Sequence, residues 1–193
     1  MTIPVAVLVV AAAAGATWLL TRGGPSRPAV FRAEPTSALY GLIDSRQGDA
    51  APLTLAEVFA PATQRLGDLV RGEGEELSDC DDALTGAEAP GCTQALRAAY
   101  QGPSAAGQFV IFNLPDGRSA DALVAALGKE GFLRQAAGFD AAHSWAQARA
   151  LGHYVTVSWV GPVRAGAKVD LTQPQLALDG LTRVVQSRVV NAG

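Results

Sequence analysis

Cys80 and Cys92 are the residues whose type and spacing point most directly to chemistry. They are the chain's two cysteines, with Pro90 and Gly91 between them. An even count at short spacing suits a disulfide, and a disulfide persists in an oxidising compartment. Closing a loop of about a dozen residues restrains the unfolded chain by on the order of 3 kcal/mol in the chain-entropy description. Two buried free thiols are the rival reading. A zinc site is not expected. Two thiolates need two more ligands, and His143 and His153 lie far along the chain with no paired spacing.

The remaining polar candidates carry less. Glu73, Glu75, Glu76, Asp79, Asp81, Asp82 and Glu88 form an acidic cluster without the ligand order of a calcium loop, so a solvated loop is expected. Asp140 precedes His143 by three residues and Ser144 follows it, but adjacency does not make a nucleophile–base pair, and no nucleophile elbow is present. The glycine-rich stretches lack a phosphate-loop lysine and a dinucleotide fingerprint. Trp145, Tyr154 and Trp159 are the candidate ligand or partner surface, with packing on a sheet face as the competing role. No catalytic residue and no cofactor is expected.

These residues need elements to position them. Thr54-Leu-Ala-Glu57 reads as a capping box opening a helix that carries Leu55, Val58, Phe59, Leu66, Leu69 and Val70, with Pro61 disturbing its first turns. Cys92–Tyr100, Gln108–Asn113, Ser144–Leu151 and Tyr154–Val160 read as strands, the last two joined in a hairpin through Gly152-His153. Trp145, Gln147 and Arg149 fall on one side of their strand and alanines on the other. Ser119 is read as the cap of a helix bearing Ala120, Leu123, Val124 and Leu127. A last helix starts near Thr172, with Leu178, Leu181, Val184, Val185 and Val189 on its apolar face. The expected class is α+β: a mainly antiparallel sheet of about four strands with helices on one side, preceded by one N-terminal transmembrane helix.

That helix would be the uncharged run Ile3–Leu20, which at 1.5 Å per residue is roughly 27 Å long, close to the bilayer's hydrocarbon thickness. The start has no Lys or Arg and Trp-Leu-Leu follows the small residues, which favours retention over cleavage as a signal peptide; a buried helix is the third reading. The expected organisation is an anchor at 1–21, a Gly/Pro-rich tether at 22–53 and an α+β domain at 54–193. Arg22, Arg27 and Arg32 after the span favour a cytoplasmic domain, whereas the cysteine pair favours an extracytoplasmic one. Long domains translocate largely regardless of charge, so the cysteines weigh more. The net charge of −3 and the near absence of lysine, with Lys129 and Lys168 alone, leave no basic patch for nucleic acid.

The Ala/Val-rich run, the Gly/Pro stretch, the Gly91-Cys92-Thr93-Gln94 segment leading into Leu96-Arg97-Ala98, and Gly152-His153-Tyr154-Val155-Thr156-Val157 together resemble small single-pass actinobacterial proteins with an extracytoplasmic domain. The resemblance implies location and architecture and carries no catalytic residue. The expected function is a membrane-anchored, non-enzymatic domain outside the cell that binds a protein partner or an envelope component, with membrane lipid contacted through the N-terminal run. The alternatives are a small-molecule or lipid-binding sensor lined by Phe109, Phe112, Trp145 and Trp159, an enzyme built around His143, His153 and the acidic loop, and a subunit of a larger membrane complex.

Overall fold

A computed structural model describes residues 26–192. In chain order the elements are β1 (Val30–Glu34), α1 (Leu55–Val58), β2 (Arg65–Leu66), β3 (Leu69–Leu77), β4 (Leu84–Thr85), β5 (Gln94–Gln101), β6 (Ala105–Asn113), α2 (Gly117–Lys129), β7 (Phe132–Leu133), β8 (Trp145–Leu151), β9 (Tyr154–Pro162), α3 (Thr172–Asp179) and α4 (Arg183–Ala192). Seven strands form one mixed sheet in the order β1-β8-β9-β6-β5-β3-β2, and β4 and β7 make a separate antiparallel pair. Every neighbouring pair in the large sheet is antiparallel except β1–β8, which is parallel.

The class α+β holds, but the expected architecture is corrected on three counts. The sheet has seven strands where about four were expected. Residues 30–34, inside the stretch read as a tether, supply its parallel edge strand. The helices lie on both faces. α2 covers β1, β8 and β9 on one side, while α3 packs on β6 and β9 from the other. Phe-Val-Ile-Phe in β6 and Val-Thr-Val-Ser-Trp-Val in β9 explain this. The first is a continuous apolar run, the second interposes only the small Thr156 and Ser158, and every residue of β6 and β9 is buried, which requires cover on both faces. Among the described residues no helix is long and apolar enough to cross a membrane. The anchor expected at 1–21 lies outside the described residues.

The helix expected from Thr54 is only one turn long. Thr54 Oγ1 accepts the Glu57 N–H at 3.1 Å, as the capping box requires. The helix ends at Val58, and Pro61, which has no N–H to donate, lies three residues beyond. Gly67 then adopts φ +61° in the turn between β2 and β3, so Leu66, Leu69 and Val70 belong to strands. The cap of α2 is Asp116, whose Oδ1 accepts the Ser119 N–H at 2.8 Å; Ser119 lies in the first turn. The last helix breaks into α3 and α4 at the 3₁₀ turn Gly180–Thr182.

Two cores result. On the α2 face, Leu123, Val124 and Leu127 meet Val110, Phe112, Val155 and Val157. There an edge-to-face aromatic chain runs Phe31–Phe132–Trp159–Phe139, with ring centroids 5.3, 4.8 and 5.0 Å apart. On the other face, Leu178, Leu181 and Val185 pack over Phe109, Ile111 and Tyr154 with Ile43 and Phe59. Gly107 permits this close approach, since a Cβ there would sit 2.6 Å from the Trp159 carbonyl and 2.7 Å from Leu178.

Candidate partner-binding groove

At the β1 edge the cover on the α3 face runs out, while α2 still packs on β1 from the other face. β8 alternates as its sequence implies: Ala146, Ala148 and Ala150 are buried beneath α2, and Trp145, Gln147 and Arg149 face the α3 side. Val30, Arg32 and Glu34 of β1 stand in register with these three residues. α3 closes the far end, where Arg149 binds Asp179 at 3.0 Å and Glu34 at 2.7 Å. Toward Trp145 it leaves a groove of about 290 Å³. Val30, Trp145 and Leu176 line it at 43, 39 and 60 % exposure. Arg32 lies at the rim and has no ion-pair partner among the described residues. Gln175 contributes to the wall; its Nε2 donates to Ser158 Oγ at 2.7 Å, and its Oε1 is buried without a partner.

The three aromatics named from the sequence do not share a surface. Trp145 alone lines the groove. Trp159 is fully buried in the α2-side core, its Nε1 donating to Ser144 Oγ at 2.7 Å. Tyr154 is buried on the opposite face and donates its hydroxyl hydrogen to Asp49 Oδ2 at 2.9 Å. Phe109 and Phe112, expected with Trp145 and Trp159 as a sensor lining, are fully buried on opposite faces of the sheet.

The cysteines are joined in a disulfide with Cα atoms 6.1 Å apart. It ties the turn Cys80–Ala83 to the approach of β5. The acidic loop around it is internally satisfied at two points: Asp79 Oδ1 accepts the Asp81 N–H, and Asp81 Oδ1 accepts the Ala89 N–H. Among the described residues no group of three His, Cys, Asp or Glu is placed to hold a metal ion.

The two histidines lie at opposite ends of β8, a seven-residue strand that spans about 23 Å, and do not share a cleft. His143 is exposed and its Nδ1 meets Asp140 Oδ2 at 2.7 Å. The Gly166 N–H on that carboxylate, with His143 beside it, holds Asp140 below the usual carboxylate range. Ser144 is fully buried and donates to the Ala141 carbonyl, so its hydroxyl is not placed as a nucleophile.

His153 belongs to a polar cluster that sequence inspection does not reveal. It sits in the β8–β9 turn, where Gly152 has φ +63°, and its Nδ1 and backbone N–H both point at the Ile43 carbonyl, at 2.7 and 3.0 Å. A carbonyl only accepts, so Nδ1 carries the hydrogen and Nε2 is left buried without a partner. Burial pushes the imidazole below its ordinary value. Beside it Arg188 donates to Asp49 and Glu57 and to the carbonyls of Ala51 and Pro52. These contacts fasten residues 43–57 across one end of the sheet. The residues are scattered over the sequence at no motif spacing, which is why no local signal finds them.

Comparison with family models, with curated proteins and with solved structures finds no match to this chain.

Proposed function

We propose that this chain is a membrane-anchored, non-enzymatic domain that binds a protein partner outside the cell, the groove at the β1 edge being its docking surface. The observation that carries this reading is the exposed trio Val30, Trp145 and Leu176 in a domain whose central strands are otherwise buried on both faces. A half-exposed tryptophan in an apolar recess is the kind of group that dominates binding energy at interfaces. The disulfide supports an oxidising location, and the uncharged run Ile3–Leu20 supports a membrane tether. The groove is at the small end of ligand-pocket sizes, which favours a partner's side chain over an enclosed small molecule.

The test is photo-crosslinking in intact cells with p-benzoylphenylalanine at position 176, compared with the same group at position 70 on the opposite side of the sheet. A discrete adduct formed from position 176 and not from position 70 is expected. Equal, diffuse labelling from both positions would remove the groove as a docking surface.

A further inference from the structure

The groove borders the free edge of β1, and the two together define how a partner would be held. β1 is the terminal strand of the sheet, and among the described residues nothing pairs with its outer side. The Val30 N–H donates to the Ser144 carbonyl at 3.1 Å, so Val30, Arg32 and Glu34 turn their backbone groups inward to β8. By the strand's period of two, the amides and carbonyls of Phe31 and Ala33 face outward. Such an edge is a template for another strand. The other end of the sheet is poorly suited to this. There the edge strand β2 is two residues long, and β3 behind it is broken by a bulge between Arg71 and Gly74.

We propose that the β1 edge receives an extended segment of a partner protein as an added strand, with an acidic side chain facing Arg32 and an apolar one entering the groove beside Trp145. This rests on the docking surface proposed above. Main-chain bonds at Phe31 and Ala33 would supply affinity, and the side chains on the groove face would supply selectivity. Arg32 fixes the sign of the partner: it stands between Val30 and Glu34, and Glu34 is already engaged by Arg149 and Gln147. Gln175 Oε1, buried in the wall without a donor, is a second group that an incoming polar hydrogen would satisfy. Pro28 and Pro35 bracket β1, so the recognised segment is short, about five residues. A second copy of this chain is disfavoured as the occupant: a two-fold antiparallel pairing of two five-residue β1 edges is centred on Arg32 and sets the two arginines opposite each other, a like-charge pair.

The test uses the full chain in detergent micelles and two defined peptides, acetyl-Thr-Val-Thr-Glu-Thr-Leu-amide and its twin with Lys in place of Glu. The Glu peptide is expected to slow hydrogen exchange at the Phe31 and Ala33 amides and to bind roughly two- to fivefold tighter than its twin, the range of an opposite-charge cross-strand pair. Arg32→Glu should invert that preference. Equal binding of the two peptides, or unchanged exchange at Phe31 and Ala33, would overturn strand addition. So would exchange already slow in the free protein together with a dimer by sedimentation, which would make the edge an interface between copies. A discrete adduct at position 176 with failure of the peptides would leave the docking surface standing and remove strand addition alone.

Discussion

At the scale of the residue, two polar groups, the buried His153 and the partly buried Arg188, have contributions to stability that single substitutions read out. His153 is uncharged in the fold, with Asp49, Arg46, Arg188 and Tyr154 around it and burial as the main cause of its lowered pKa. The unfolded chain therefore takes up a proton more readily than the native one. This group's stabilisation is complete above about pH 6.5 and is lost as the pH falls below that value toward the depressed folded pKa, with a slope of at most about 1.4 kcal/mol per pH unit. His153→Asn keeps a donor for the Ile43 carbonyl and cannot titrate. Urea midpoints measured between pH 7 and pH 5 should fall for the parent and stay nearly level for the variant. Arg188 is the second such residue. Its side chain is 13 % exposed and Asp49 beside it 12 %, so Arg188→Ala strands a carboxylate and two carbonyls together. A loss of about 3 kcal/mol is expected in chemical denaturation. A value below about 1 kcal/mol would mean the network is no better than a surface ion pair.

At the scale of the element, two joints hold the helices and loops to the sheet. The disulfide fixes the loop that follows β3 against the start of β5. Reduction should lower stability by roughly 3 kcal/mol, read as a drop in the urea midpoint with and without reductant. Gly107 is the other joint. Gly107→Ala would press a methyl against the Trp159 carbonyl and Leu178, moving α3 off the sheet at a cost of about 1–3 kcal/mol. Because α3 also walls the groove, the variant should change Trp145 fluorescence as well as stability. Strand existence was legible here: Ser144–Leu151 and Tyr154–Val160 contain a hairpin whose periodicity and Gly152 turn are both local. The short β1, β2, β4 and β7 were not, since two to five residues carry too little pattern to stand out.

At the scale of the whole molecule, the proposed membrane tether raises the question of which side the domain would occupy. Arg22, Arg27 and Arg32 point one way and the cysteine pair the other. Arg27 is also structural, its guanidinium donating to the carbonyls of Leu127 at 2.9 Å and Lys129 at 3.2 Å, where it caps the C-terminus of α2. Its charge therefore has a role in the fold that is independent of topology. Labelling intact cells with a membrane-impermeant thiol reagent decides between the two. Labelling of Cys80 and Cys92 only after reduction, in unbroken cells, is the expected outcome. Thiols reached only after lysis would place the domain inside and redirect the search for partners to the cytoplasm.

The sequence by itself determined the α+β class, the main hairpin, the pairing candidates Cys80 and Cys92, and the two-sided character of β8. Each of these is written in neighbouring residues, through periodicity, turn chemistry or spacing. Tertiary structure alone decided that Val30–Glu34 joins the sheet as a parallel edge, because parallel pairing joins segments far apart in the chain and leaves no turn between them to read. It also decided that Trp145 is exposed while Tyr154 and Trp159 are buried. Tyr154 and Trp159 lie on the central strand β9 and Trp145 on β8 beside the edge. Asp49 and the Ile43 side of the core cover Tyr154, Phe132 and Phe139 cover Trp159, and the boundary of α3 leaves Trp145 partly uncovered. The groove, with an Arg32 that has no ion-pair partner among the described residues, follows from that boundary, which no local pattern encodes.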